Sequence, residues 1–325
     1  MTERIRRMEQ VTNLPNKKLE ETSLAEELRS PAKKLIRIEQ RGRIYTLLSA
    51  WILIITLFSL LFFITSKGIM PFIHGEITLQ NFFSTHWGPT SAEPGGPFFG
   101  SINFILGSLM VTLLSALISA PLGIGAAIFM TEISPKFGRK ILQPAIEILV
   151  GIPSVVYGFI GLTLIVPFIR NTTGSIGFSL LAGVIVLSVM ILPTIVSMSV
   201  DTIQSIPQSL REGSYALGAT RWQTISRLLV RTSLPGLMTG VILGMARAFG
   251  EALAVQMVIG NSPNLPFQLM KPISTLTSVI TLNMGNTVQG TPYNSVLWSM
   301  ALILLLMTLF FILLIRLMTQ RGKQG

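Results

Sequence analysis

The sequence predicts an all-α integral membrane protein with six transmembrane helices. Half of its 325 residues are hydrophobic, only 12% are charged, and the mean hydropathy is +0.63. A soluble protein of this size carries roughly 25% charged residues, so much of this surface is expected to face lipid. Lipid cannot satisfy backbone polar groups, so a span needs about 20 apolar residues in a helix. Six stretches meet this requirement: residues 44–66, 104–128, 142–168, 176–199, 234–259 and 295–315.

The segment before the first span, residues 1–43, is the only strongly polar block, with eleven Lys and Arg and seven Glu residues. Pro15 and Pro31 are expected to interrupt any long helix here. The apolar run that follows is too long for a cleavable signal, so we interpret it as a retained anchor. The sequence therefore predicts a solvated N-terminal tail, with an interfacial helix over residues 32–43 as the alternative.

The distribution of basic residues predicts the orientation. With a cytoplasmic N-terminus, 21 of the 25 Lys and Arg residues lie on the cytoplasmic side, three lie outside, and Arg247 lies within a span. Basic residues accumulate in cytoplasmic loops, so this split supports six spans with both termini, including residues 317–325, in the cytoplasm. Residues 67–101 and 261–294 are then external loops. The net charge of +11 therefore reflects the orientation of the chain in the membrane. It does not indicate a nucleic-acid partner, and none is expected.

The composition excludes several chemistries. The chain has no cysteine, and His74 and His86 are too few and too isolated for a metal centre or a catalytic triad. No Gly-x-x-x-x-Gly-Lys-Ser/Thr segment is present to bind nucleotide phosphates. We therefore predict no catalytic residues, no metal and no bound cofactor. If ATP drives transport, a separate subunit is expected to hydrolyse it.

The loop over residues 201–233 is predicted to form two short helices. Ser209 and Glu212 have capping-box spacing, which predicts a helix start near Leu210, and Gly218 suits the left-handed end of that helix.

The second helix of this loop is predicted to open at another capping box, Thr220 with Gln223. Its apolar residues recur at three and four positions and predict one buried face, formed by Trp222, Ile225 and Leu229. The sequence therefore predicts a helix–turn–helix element at the cytoplasmic surface. A surface helix that only seals its own bundle would give the same pattern.

The segment from Glu212 to Gly218 resembles the EAA loop of ABC importer permeases, whose pattern is Glu-Ala-Ala, three residues and then Gly. The segment here is Glu-Gly-Ser-Tyr-Ala-Leu-Gly. The Leu-Pro pair usually found about a dozen residues after the glycine is Val230-Arg231 in this chain. The resemblance implies a coupling helix that contacts an ATPase subunit through Glu212, Gly213, Ser214, Ala216, Leu217 and Gly218.

Two further stretches resemble the phosphate-specific permeases of the PstC type. They are residues 147–158, and Arg247-Ala-Phe-Gly-Glu251 followed by Met-Val-Ile-Gly-Asn at 257–261. The resemblance implies the type I ABC importer fold over residues 102–316 and a place in the bacterial inner membrane. It also implies phosphate as cargo and three partners: a homologous permease of the PstA type, an ATP-binding subunit dimer and an external phosphate-binding protein. Sulfate, molybdate or phosphonate as cargo, an ion-gradient-driven carrier, and a scaffold without transport remain alternatives.

Arg247 and Glu251 are the residues predicted to line the translocation pathway. A charge at the centre of a span costs about 2.5–3.5 kcal/mol on insertion scales, so it usually faces a pathway or a partner. Four residues apart, the two side chains would share one helix face. The guanidinium of arginine matches phosphate oxygens. A buried ion pair without ligand contact is the alternative.

The third predicted span contains four residues with expected structural roles. Gly151 and Pro153 are predicted to bend the helix, and Gly158 is predicted to permit close helix contact. Glu147, near the cytoplasmic start of this span, is expected to stabilise the helix N-terminus.

Overall fold

The computed structural model describes residues 17–90 and 97–321, and this part of the chain is mostly helical. The predicted N-terminal tail and C-terminal segment therefore lie partly outside the described residues. Six of the described helices are long and apolar enough to cross a membrane, as predicted. They are Ile38–Ile73, Ile102–Ile133, Ser154–Thr173, Leu180–Gln204, Arg221–Phe249 and Pro292–Leu314.

We number the α-helices in chain order. They are α1 (Lys17–Ile73), α2 (Leu79–Phe82), α3 (Ile102–Ile128), α4 (Pro135–Phe137), α5 (Gln143–Gly151), α6 (Ser154–Ile160), α7 (Val166–Thr173), α8 (Leu180–Gln204), α9 (Gln208–Ala216), α10 (Arg221–Gln223), α11 (Val230–Phe249), α12 (Leu253–Val258), α13 (Leu276–Asn283) and α14 (Pro292–Arg321). π-Helical turns extend α3 to Ile133, join α6 to α7, and join α10 to α11. A two-stranded antiparallel hairpin, which the sequence did not predict, pairs β1 (Trp87–Gly88) with β2 (Phe98–Phe99).

Contacts divide the chain into two units, one ending at Phe63 and the other beginning at Ile64. In the first unit, nearly all described side chains from residue 38 onward are exposed, as expected for a helix surrounded by lipid. The helix α1 continues through Pro31, so the interruption predicted there is wrong. A proline removes one helical hydrogen bond, and here the helix on either side of it persists.

In the second unit, α8 is the central helix, and α3 and α11 pack along it. Small residues bring these helices close together: Gly123 of α3 and Gly244 of α11 both lie against Ile195 of α8. A hydroxyl group adds a polar link, because Ser119 of α3 donates a 2.8 Å hydrogen bond to the carbonyl of Ser188. Close approach through small residues is the usual way in which helices associate within a membrane.

The two loops predicted to be external pack on each other. The Asn103 side-chain amide, at the start of α3, donates hydrogen bonds to the carbonyls of Thr85 and Pro263, at 2.8 and 2.7 Å. The Trp87 ring of β1 lies edge-on to Phe104, with 5.0 Å between ring centroids. Both loops are therefore ordered by contacts with the start of α3, and residues of both loops belong to one hydrophobic cluster.

The predicted third span, residues 142–168, is interrupted. α5 ends at Gly151, Ile152 and Pro153 have extended backbones with ψ of 127° and 140°, and α6 begins at Ser154. Proline lacks an N–H group and disfavours helical geometry at the residue before it, so the chain breaks here rather than bends. The spanning helix is Ser154–Thr173, and α5 is a separate element.

The predicted fifth span, residues 234–259, is displaced toward the N-terminus. A continuous helix runs from Arg221 through Pro235 to Phe249, and α12 follows as a separate short helix. The second helix predicted within the 201–233 loop is therefore the first part of this span and not a separate surface helix. α8 also extends into this loop, to Gln204.

Candidate functional site

The predicted coupling residues lie on α9 and the turn that follows it. Pro207, with an extended backbone, precedes the helix, and no side chain caps its first turn, so the capping box predicted at Ser209 is absent. Gly218 has a φ of +79°, which confirms the left-handed helix end predicted there. Thr220 and Gln223 form the second predicted capping box. The turn between α9 and α10 is thus fixed by local geometry.

The outer surface of this element is partly apolar. Five of the six predicted coupling residues are exposed: Glu212, Gly213, Ala216, Leu217 and Gly218. The sixth, Ser214, is half buried, and its hydroxyl lies 2.9 Å from that of Thr224. Leu217 is 91% exposed and Trp222 67% exposed. Trp222 therefore does not share the buried face of Ile225 and Leu229, and the face predicted for these three residues is wrong in that respect.

Arg211 attaches α9, the helix that carries most of the predicted coupling residues, to two neighbouring helices. The sequence analysis did not single out this residue. Its Nε and Nη2 atoms donate to Glu132 Oε1 at 3.2 and 3.0 Å, which joins α9 to the π-helical end of α3. Its Nη1 and Nη2 atoms also donate to the carbonyls of Ile206 and Ile203, at 2.7 and 2.9 Å, at the end of α8. Any displacement of α9 must therefore strain its contacts with both spanning helices.

A second arginine reinforces this attachment. Arg221, at the start of α10, donates hydrogen bonds to the carbonyls of Glu132 and Ile133. Beside the two arginines lies an open cleft of ≈ 730 Å³, whose lining includes Arg139, Gln204 and Glu212. The same π-helical turn thus receives contacts from α9 and from the beginning of the fifth span.

Arg247 lies in the last turn of α11 with its side chain exposed. Its Nη1 atom donates a 3.2 Å hydrogen bond to Thr194 Oγ1 on α8. Across the described residues, no carboxylate forms an ion pair with it, because the one pair found there is Arg211–Glu132. Since a guanidinium carries five N–H donors, most of those of Arg247 remain open to a ligand. This geometry suits the binding of an oxyanion.

Glu251 does not share a helix face with Arg247, so that part of the prediction is wrong. α11 ends at Phe249, and the four-residue spacing rule applies only within a continuous helix. The Glu251 carboxylate instead accepts a 3.0 Å hydrogen bond from the backbone N–H of Ala254 in α12, and its backbone carbonyl accepts one from Thr277 at 2.9 Å. Glu251 therefore fixes the connection between α11 and α12.

Gly158 lies at a close contact between α6 and α12. A Cβ atom there would lie 2.9 Å from the Ala254 Cα atom and 2.8 Å from the Met257 sulfur. Gly151 is different, since nothing lies within 4 Å of the position its Cβ would occupy. The helix break after Gly151 leaves backbone carbonyls of α5 without helical partners. One of them, that of Leu149, accepts a 2.8 Å hydrogen bond from the Tyr157 hydroxyl.

Comparisons with known proteins agree with this architecture. Residues 119–324 match the family described as binding-protein-dependent transport system inner membrane component. A probable ABC transporter permease protein, YqgH of Bacillus subtilis, is 55% identical over 306 residues, covering 94% of this chain and 98% of that protein. The phosphate transport system permease protein PstC of Mesorhizobium japonicum is 33% identical over 258 residues, covering 73% and 77%.

Among solved structures, a chain of the bacterial alginate ABC transporter, in complex with an alginate pentasaccharide-bound periplasmic protein, has a TM-score of 0.55. The identity is 19%, and the match covers 87% of this chain and 96% of that one. At this identity the likeness concerns the fold alone. It confirms the importer-permease fold that the EAA-like segment implied.

Proposed function

This chain belongs to the family of binding-protein-dependent transport system inner membrane components, and we propose that it is the permease subunit of an ATP-driven phosphate importer. The family assignment makes it a multi-pass membrane subunit of an ABC importer. Phosphate as cargo is supported by relatives in several organisms that are 31–33% identical and named PstC. The name of the 55% identical relative specifies no cargo.

Arg247 is the observation on which the proposal rests. It is a cation in the last turn of a spanning helix, exposed, and held by the neutral hydroxyl of Thr194. Without an internal carboxylate, its charge is available to an anion. Charge-assisted hydrogen bonds from arginine to phosphate are about twice as strong as neutral ones, and they are frequently bidentate. The Glu251 carboxylate, which accepts a hydrogen bond from the first turn of α12, stabilises the helix break that follows α11 just beyond Arg247.

The partners of the chain belong to the proposal as well. A homologous second permease would complete the pathway, an external binding protein would deliver phosphate, and an ATPase dimer would dock on α9 through Leu217 and the residues around it. This chain would bind no cofactor and hydrolyse no ATP. The chain would lie in the bacterial cytoplasmic membrane with both termini inside, consistent with its basic-residue distribution. Arg211 would pass the movement of α9 to α3 and α8.

ATP-dependent uptake of labelled phosphate into proteoliposomes that contain the complete importer tests this function. We expect Arg247→Gln to lower uptake about 100-fold, since losing one partner of a charged contact costs about 2–5 kcal/mol. Arg231→Gln is the matched control, because Arg231 is exposed near the other end of α11. Both variants should still copurify with the ATPase.

Competing anions and withdrawal of ATP separate the alternatives. Stronger competition by sulfate, molybdate or phosphonate than by unlabelled phosphate would transfer the cargo assignment to that anion. Phosphate uptake that persists without ATP but requires an ion gradient would identify a secondary carrier. Full activity of Arg247→Gln would remove Arg247 from the pathway.

A further inference from the structure

One face of α8 is polar and is not covered by the core. Ser197, Asp201 and Gln204 are exposed and Thr194 is half buried, and their spacing of three and four residues places them on one helix face. Much of the rest of the helix is buried, including Ile191, Ile195 and Val196. Polar residues of a spanning helix face a pathway or a partner rather than lipid. Thr194, at the end of this face nearest the middle of α8, accepts the hydrogen bond from Arg247.

Two carboxylates lie at the other end of this face, which is the end predicted to be cytoplasmic. Asp201 and Glu147 of α5 line a single cavity of ≈ 70 Å³, together with Ser197. Glu147 lies in the middle of α5 and accepts a 3.2 Å hydrogen bond from the Gln143 side chain. The sequence analysis expected it at a helix N-terminus, and that expectation is wrong. Within the described ranges, neither carboxylate forms an ion pair.

Helix stability does not account for this arrangement. Asp201 is in the last turn of α8, where the helix dipole disfavours a negative charge. Two like charges at one cavity also repel each other, and the lining of that cavity, as described, contains no lysine or arginine. A role in transport does account for it, because a cytoplasm-facing permease must release an anion that Arg247 attracts.

We propose that Asp201 and Glu147 form a negatively charged exit through which the transported anion leaves along the polar face of α8. This inference rests on the proposed function. Thr194 and Asp201 are seven residues apart on one helix, which is about 10 Å along its axis. That distance is slightly longer than the Debye length of about 8 Å at physiological salt, so the carboxylates act most strongly on an anion that has left Arg247 and moves toward them along α8. They lower the anion's affinity for the inward-facing pathway and oppose its return from the cytoplasm.

The test is inhibition of uptake by phosphate on the release side. Proteoliposomes with the complete importer are loaded with ATP and graded unlabelled phosphate, and labelled phosphate with its binding protein is added outside. In the double variant Asp201→Asn/Glu147→Gln, luminal phosphate should half-inhibit uptake at about a tenfold lower concentration than in the wild type. Glu39→Gln, which neutralises a carboxylate outside the cavity lining, should behave as the wild type. Asp201→Glu, which keeps the charge, should do so too.

Each outcome bears on the inference. An unchanged half-inhibiting concentration in the double variant overturns it. A shift in Asp201→Glu equal to that in Asp201→Asn assigns the effect to packing and also overturns it. If the double variant does not assemble, each single neutralisation should give about a threefold shift, and no shift in either would again refute the exit.

If phosphate is not the cargo, the result is different, because the wild type itself would then take up no phosphate. The luminal titration is in that case run with whichever of sulfate, molybdate or phosphonate the wild type transports. The same shift is expected, because the exit acts on charge.

Discussion

Replacing Arg211 with methionine removes the charge that attaches α9 to α3 and keeps a long unbranched side chain. Four hydrogen bonds are lost, two to the Glu132 carboxylate and two to backbone carbonyls at the end of α8. The two side chains are 16% and 12% exposed, so water cannot fully replace these contacts.

The magnitude follows from this partial burial. Exposed ion pairs contribute about 0–1 kcal/mol, whereas removing one partner of a fully buried pair costs about 3–5 kcal/mol. A pair at the exposure of Arg211 and Glu132 should fall between these limits, at about 2 kcal/mol. This corresponds to a shift of about 30-fold in the equilibrium between attached and detached α9.

A double-mutant cycle measures this coupling. The free energy of unfolding in mixed micelles should fall by about 2 kcal/mol in Arg211→Met and in the double variant, because the second change removes nothing further. It should fall by less in Glu132→Gln, where Arg211 keeps its two hydrogen bonds to backbone carbonyls. In the assembled importer, Arg211→Met should keep ATP hydrolysis while uptake per ATP falls. Arg227→Met is the control, because Arg227 is an exposed arginine near the start of the fifth span. A loss in the double variant equal to the sum of the two single losses, or a loss in the control as large as that in Arg211→Met, would refute the attachment.

Two glycine substitutions test the geometry elsewhere. Gly218→Ala places a side chain at a φ of +79° with no neighbour within 4 Å, so only backbone strain of about 1–2 kcal/mol should appear. It should loosen ATPase retention during copurification. Gly174→Ala, at a φ of +67° with no neighbour within 4 Å and outside the predicted coupling residues, should not, and equal retention in both would contradict the role of the turn. Gly158→Val should destabilise the chain by about 1–3 kcal/mol through its clash with Ala254, measured as a lower thermal midpoint. Gly151→Val, with open space, is its control, and equal midpoints would contradict the close contact.

Much of the fold could be predicted because lipid imposes a simple rule on sequence. Apolar stretches of about 20 residues identified the six spans. Local chemistry was equally informative where it acts within a few residues, as in the capping box of Thr220 with Gln223 and the left-handed Gly218. The candidate residue Arg247 was also evident, since a charge in an apolar helix needs an explanation.

What could not be predicted depends on distant contacts. Pro153 ends a helix and Pro235 does not, although both lie in apolar stretches. A proline inside a spanning helix is tolerated where neighbours satisfy the freed backbone groups, and the local sequence does not reveal those neighbours. Arg211 and Glu132 are 79 residues apart, so no periodic pattern links them. Glu251 was misplaced for a similar reason, since its connection depends on Thr277, 26 residues away.

The continuity of the fifth span gives the proposed ATPase-docking surface a direct mechanical link to the proposed anion site. A single helix leads from Arg221, next to the exposed Trp222, to Arg247, which is a rod of about 39 Å. If this rod pivots near one end, a tilt of about 5° moves the other end by about 3 Å, comparable to the length of a hydrogen bond. A small rotation imposed by nucleotide binding is thus geometrically sufficient to bring the guanidinium into contact with an anion or to withdraw it.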